Sequence, residues 1–272
     1  MKRKTLNQTP GSETGPTVAS TTDAELQARV TRLGLHGILA HWDEFGGQPW
    51  LSGLVAIEET ERARRSFERR QAAANLGTFG QMADFDWRWP KKVNRGLIEE
   101  VLGLSFMEEP ANVVLVGPNG VGKTMIAKNI AQNALVRGCT VHFTTAAEML
   151  GQLSAQDSAS RLEREFRKLA RYDVLVIDEL GYLNFDARFS DLLFEVVNRR
   201  HLKRPIVITT NKPFADWNQV FPNSSSVVTV VDRLVHRCEV VAIEADSYRL
   251  KEARERTERK SRARTSREPK QP

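Results

Sequence analysis

The apolar positions of this chain fall into two regimes. Up to about residue 76 they recur every three or four residues: Leu26, Val30 and Leu33, then Leu35, Ile38, Leu39 and Trp42, and after Pro49 also Leu54, Ile57, Ala63 and Phe67. Such spacing keeps one helix face apolar and predicts a small all-helical domain over 23–76. Asp23 is read as the first N-cap, Pro49 opens a long helix, and Gly34 and Gly37 weaken the first hairpin. From Val113 onward the apolar residues gather into short runs at 113–116, 140–143, 174–177, 206–210 and 240–243, separated by helical stretches. Strands apolar on both faces need helices on both sides. The second regime therefore predicts an α/β domain over 96–250, built on a five-stranded parallel sheet flanked by helices.

Between the regimes, 77–95 carries Phe79, Phe85, Trp87 and Trp89. So many aromatics in a linker must pack on something, and the segment is read as a strap from the small domain to the large one. Core packing is favoured over base stacking, because no loop pattern presents the rings together. Residues 1–22 lack any apolar period and are rich in breakers, which predicts a disordered leader. The chain after Arg249 is charged throughout, and 251–272 is read as a basic tail that extends the last helix and then frays.

Composition narrows the class. Forty Lys and Arg against 34 Asp and Glu give a net charge of +6, which suits an anionic partner without naming one. The run Glu58, Glu59, Arg62, Arg64, Arg65, Arg69 and Arg70 is ordinarily a solvated helix face, with DNA contact as the less common alternative. Cys139 and Cys238 lie far apart without CxxC spacing, and the five histidines, His36, His41, His142, His201 and His236, show no ligand spacing. Neither a disulfide framework nor a zinc site is expected, and a reducing cytoplasm is the natural compartment. No apolar run approaches the roughly 20 residues that span a bilayer, and the first 20 residues stay polar where a signal peptide turns apolar, so no membrane association is expected.

The chemistry is concentrated at three strand ends. Gly117-Pro118-Asn119-Gly120-Val121-Gly122-Lys123-Thr124 matches GxxxxGK[ST] and lies between a predicted strand and a predicted helix. Glycines there let backbone N–H groups turn inward around phosphate, and the helix N-terminus adds a favourable dipole. Lys123 then reaches the β- and γ-phosphates and the Thr124 hydroxyl binds Mg²⁺, so ATP and Mg²⁺ are the expected cofactors. Asp178 and Glu179 close the run 174–177, placing two carboxylates at the carboxyl edge of a parallel sheet. Asp178 is read as holding Mg²⁺ and Glu179 as the base for an attacking water. Asn211 follows the run 206–210 and offers an uncharged amide to the water or the γ-phosphate, although in isolation turn formation before Pro213 is the better explanation.

Taken together these motifs resemble the AAA+ ATPases, specifically the IstB-type transposition helpers and their DnaC-like helicase-loader relatives. The resemblance spans roughly 33–251. It rests on the P-loop, on Ile177-Asp178-Glu179-Leu180-Gly181-Tyr182-Leu183, on Thr209-Thr210-Asn211-Lys212-Pro213-Phe214, and on Asp232-Arg233-Leu234-Val235-His236 with Ser247-Tyr248-Arg249-Leu250-Lys251. It implies that Asn211 is the sensor-1 residue, Arg233 an arginine finger offered to a neighbour's nucleotide, and Arg249 sensor 2, with Arg237 competing for the finger role. The sequence departs from the pattern at Lys212, where relatives often carry an apolar residue, and in the Ser/Val-rich segment 221–229.

The function so implied is an ATPase that assembles as an ATP-bound oligomer on duplex DNA, sequence-independently, and assists a transposase. The alternatives are a DnaC-like loader binding a replicative helicase and single-stranded DNA, and a switch that binds ATP without hydrolysing it. The N-terminal region lacks the cysteines of zinc-carrying loaders, which favours the first, and Glu179 argues against the last.

Overall fold

The computed structural model describes residues 22–182, 187–220 and 226–265. The expected leader, apart from Thr22, and 266–272 of the expected tail lie outside the described residues. The chain divides into two compact units, Met1–Ser66 and Phe67–Pro272.

In the first unit, α1 (Asp23–Arg32), α2 (His36–Ala40), α3 (Trp42–Phe45) and the first part of α4 (Pro49–Ala73) enclose a small core of Leu26, Val30, Leu33, Leu51 and Val55. Arg29 forks onto Glu59, with its closest contact at 2.7 Å, and Arg62 donates to the Leu33 carbonyl, so α1 and α4 are joined by charge as well as apolar contact. Two expectations are corrected here. The N-cap of α1 is Thr22, not Asp23: its hydroxyl accepts from Glu25 N–H while the Glu25 carboxylate accepts from Thr22 N–H. That T-x-x-E box satisfies two helix-end donors at once, which Asp23 does not do. The inward face of α4 is Leu51 and Val55, whereas Leu54 and Ile57 are 44% and 66% exposed. Both stripes have helical spacing, and periodicity cannot choose between them.

In the second unit a six-stranded sheet runs in the order β1-β6-β2-β5-β4-β3. The strands are β1 (Lys92–Val93), β2 (Asn112–Val116), β3 (Val141–Thr145), β4 (Val174–Leu180), β5 (Ile206–Thr210) and β6 (Cys238–Glu244). β2 to β6 are parallel, as expected. The sixth strand was not expected: β1 pairs antiparallel with β6 through Lys92↔Glu244 and Val93↔Ile243. Two residues, one of them lysine, leave no apolar run to read.

Helices cover both faces. Val113, Leu115, Val174, Val176 and Val207 pack toward α5 (Arg95–Leu102) and α6 (Lys123–Val136). Val114, Leu175, Ile177, Ile206 and Ile208 pack toward α7 (Ala146–Ser154), α8 (Ala159–Arg171), α9 (Ala187–Arg200), α10 (Trp217–Val220) and α11 (Ser226–Val235). Successive residues of a strand point to opposite faces, so one continuous apolar run feeds two cores. α12 (Tyr248–Thr265) follows β6 as a separate helix and includes the described part of the expected tail. Because β2 to β5 are parallel, the loop after β2, the carboxylates of β4 and the residue after β5 all arrive at one edge of the sheet.

Candidate active site

β2 ends at Val116, and the chain turns through 117–122 into α6, whose N-cap Gly122 has φ +99°. A side chain is excluded there on two counts: the left-handed backbone, and Phe85, whose ring edge would lie 2.7 Å from an added Cβ. Lys123 opens the helix and is buried. Its ammonium donates to the Gly117 and Pro118 carbonyls at 2.8 and 2.7 Å, so it folds back over the loop. Burial pushes its pKa down to about 8; Asp178 and Glu179 work against that shift and Arg249 adds to it.

Facing the loop, β4 does not stop at Ile177 as its apolar run suggested. It continues to Leu180 with a bulge, because Ile177 pairs with Ile208 but Leu180 pairs with Thr210, leaving one residue too many on β4. The bulge separates the two acids. Asp178 is buried, and its carboxylate accepts from Thr124 Oγ1 at 3.0 and 3.1 Å and from Thr209 Oγ1. Glu179 is exposed at φ +62°, a conformation that costs a non-glycine residue about 1–3 kcal/mol. Its N–H donates to Thr209 Oγ1 at 3.0 Å, so one hydroxyl fixes both acids. Asn211 lies beside Gly117, Pro118 and Asn119, and its Oδ1 is buried without a hydrogen-bond partner.

A cavity of about 250 Å³ opens over the loop, lined by Lys123, Thr124 and Glu179, by Phe85 and Trp89 of the strap, and by Tyr248 and Arg249 of α12. The aromatic strap thus packs within the second unit. Phe85 meets Trp87 edge to face at 4.8 Å, Trp89 meets Tyr248 at 5.9 Å, and Trp89 Nε1 donates to the Asp246 carbonyl at 2.8 Å. Lys251 sits over the Trp89 ring at 4.6 Å and pairs with Asp86 at 3.1 Å, tying α12 to the strap. Arg233 does not reach this cavity. It lies on α11, half-buried against α9, donating to Asn198 Oδ1 with its guanidinium 4.9 Å from the Phe194 ring. Arg237 is exposed and pairs with Glu109 at 3.5 Å.

Comparison with known proteins assigns the family. The family model described as IstB-like ATP binding protein matches residues 29–256. The chain belongs to the IstB-like ATP-binding family. Among its relatives, an ATP-binding protein of insertion sequence IS21 from Pseudomonas aeruginosa is 32% identical, over 85% of this chain and 90% of the relative. One of insertion sequence IS5376 from Geobacillus stearothermophilus is 34% identical, over 75% and 82%. A crystal structure of DnaI shares the fold at a TM-score of 0.51 with 16% identity, covering 63% of this chain and 90% of that one. The α/β fold with helices on both faces of its sheet and the IstB-type kinship expected from the motifs are therefore shown.

The residues of this IstB-like site fit a nucleoside triphosphate with its metal. Among the described residues the buried ammonium is hydrogen-bonded only to loop carbonyls, and Asn211 keeps an unpaired acceptor; both are groups that a triphosphate and its attacking water can satisfy. Thr124 and Asp178 are already in contact and are the pair that would hold Mg²⁺. Sequence reasoning missed two parts. Thr209 stands within a quoted motif without a role, because β5 is buried on both faces and alternation does not single it out. The strap was read as a connector; the clustering of Trp89 with the charged pair Asp86 and Lys251 has no sequence signal, because 165 positions separate the pair.

Proposed function

We propose that this protein hydrolyses ATP and, with ATP bound, assembles into an oligomer on duplex DNA to assist a transposase, hydrolysis controlling the assembly. The observation that carries the reading is Thr209 holding Asp178 against Thr124 while it fixes the backbone of Glu179 at the mouth of the phosphate loop. An ATP-binding switch without turnover has no use for an exposed carboxylate kept in a strained conformation at that position.

In the proposed reaction the loop amides and Lys123 bind the β- and γ-phosphates, the ammonium exchanging loop carbonyls for phosphate oxygens. Glu179 accepts a proton from a water that the Asn211 amide orients. The water oxygen forms a bond to the γ-phosphorus while the bond from that phosphorus to the β–γ bridging oxygen breaks, giving ADP and phosphate. Mg²⁺, when held by Thr124 and Asp178, would draw negative charge from the phosphate oxygens. Arg249 reaches the same cavity from α12 and suits the γ-phosphate. Arg233 faces away from its own chain's cavity, which supports its acting on a neighbour's nucleotide and makes turnover depend on assembly. Insertion-sequence relatives support the link to transposition, and the net charge of +6 supports a polyanionic partner.

The test is phosphate release from ATP without DNA, with duplex and with single strands, combined with sizing of the ATP-bound protein. Duplex stimulation and an ATP-dependent larger species are expected. Stimulation by single strands alone would favour helicase loading, and stimulation by neither would overturn the DNA reading.

A further inference from the structure

A second charged hollow lies at the other end of the sheet. Thr140, Arg164, Arg167, Lys168, Arg171 and Tyr172 line a groove of about 420 Å³ with four cations and no carboxylate. It sits where β3 and β4 begin, whereas the nucleotide cavity sits where they end. Four residues of strand separate Val174 from Asp178, about 13 Å.

The cations stand in a row. Arg164, Arg167, Lys168 and Arg171 follow helical spacing on α8, and Arg164 to Arg171 spans about 10 Å of helix. Nearby acids engage two of the four. Glu163 receives both guanidinium nitrogens of Arg199, at 2.9 and 2.7 Å, and lies 3.4 Å from Arg167; Glu165 lies 3.5 Å from Lys168; Asp173 accepts from Thr140 and pairs with Arg204. Among the described residues, Arg164 and Arg171 make no ion pair.

The groove is also rigidly built. Arg200, almost wholly buried, donates to the carbonyls of Leu169, Tyr172, Asp173 and Pro205, clamping the end of α8 to the starts of β4 and β5. Asp173 in turn holds Thr140 through both its N–H and its hydroxyl at 2.8 Å. Tyr172 is stacked on His142, with centroids 5.0 Å apart and planes 15° from parallel. A fixed frame holds the row of cations at constant spacing, so an anion orders only their side chains.

We infer that this groove is a docking site for the phosphate backbone of nucleic acid, distinct from the ATP cavity. The inference rests on the DNA-binding reading proposed above and locates a contact surface for it. Three guanidinium forks match phosphate oxygens, and one DNA strand presents a phosphate about every 3.4 Å along its axis, so the row faces two or three successive phosphates. An acidic polypeptide is the weaker fit, because three of the four cations are arginines set in a row, which suits the closely repeated phosphates of one strand.

The test uses the full chain with ATP and a labelled duplex of arbitrary sequence, titrated across a range of salt. Arg164→Gln with Arg171→Gln should weaken binding about tenfold and flatten the log–log salt slope by about 2, while Arg164→Lys with Arg171→Lys keeps most of both. ATP affinity and DNA-free hydrolysis should not change, since neither residue approaches the nucleotide cavity. Equal affinity and slope in the glutamine variant and the unmodified protein would overturn the groove assignment alone. Failure of the unmodified protein to bind duplex would remove the DNA reading and the groove with it. Loss of poly-glutamate binding with DNA affinity intact would reassign the groove to an acidic polypeptide.

Discussion

Thr209 shows how much one hydroxyl can organise. It accepts from the Glu179 amide and donates to Asp178, so both acids depend on a side chain that never meets the phosphates. Thr209→Val keeps the shape and removes both bonds, leaving the Glu179 N–H without its acceptor and Asp178 held by Thr124 alone. The protein should lose about 1–3 kcal/mol in urea unfolding. Turnover at saturating ATP should fall by more than ATP affinity does, and unchanged turnover would show that Glu179 needs no such anchor. Lys123 yields a pH dependence. Its pKa in the nucleotide-free protein is lowered to about 8 by burial, and bound phosphates raise it again. ATP binding therefore takes up a proton above that pH, and affinity should weaken as pH rises through about 8 toward the ordinary lysine value. The sign for folding is opposite: the unfolded chain keeps its proton up to about 10.5, so Lys123 disfavours the fold below about 8 and less so as pH rises between the two values. An ATP affinity that is flat across this interval would contradict the buried ammonium.

At the scale of elements, the strap and α12 form the second wall of the cavity. We propose that this aromatic wall takes the adenine: Trp89→Ala, which removes the ring that Tyr248 and Lys251 pack against, should then weaken ATP binding by roughly tenfold, the usual scale for losing a base-stacking aromatic. Equilibrium titration with a fluorescent ATP analogue measures this directly, and an unaffected affinity would place the base elsewhere. The same elements show where sequence pattern stops. The P-loop, Asp178 and Glu179 were legible because each is a polar motif abutting an apolar run, a local signal. The bulge in β4 was not, since an extra residue is visible only against the partner strand, and Leu180 looks like a loop residue until it pairs with Thr210. β1 escaped for the same reason: its pairing with β6 joins positions 92 and 244. On α4 the apolar stripe was found and its inward face misassigned, because Leu51 and Val55 are distinguished from Leu54 and Ile57 only by what packs on them.

At the scale of the whole molecule, the proposal makes each active site composite. Arg233 lies outside its own cavity, packed on Phe194 and Asn198, and is assigned to a neighbour's nucleotide. Arg233→Ala should retain ATP affinity and lose about a thousandfold in turnover on DNA. Mixed with Glu179→Gln subunits it should regain activity, since an Arg233→Ala subunit keeps its base and its neighbour supplies the arginine. A mixture as inactive as its parts would assign Arg233 to packing. The central claim is that Glu179 makes this phosphate loop an ATPase site that responds to DNA. Steady-state phosphate release by the unmodified protein and by Glu179→Gln, each saturated with ATP and duplex DNA, tests it most directly. DNA-stimulated release is expected for the first and a fall of about 10²–10⁴-fold for the second with ATP still bound; equal release by both would remove Glu179 from the reaction.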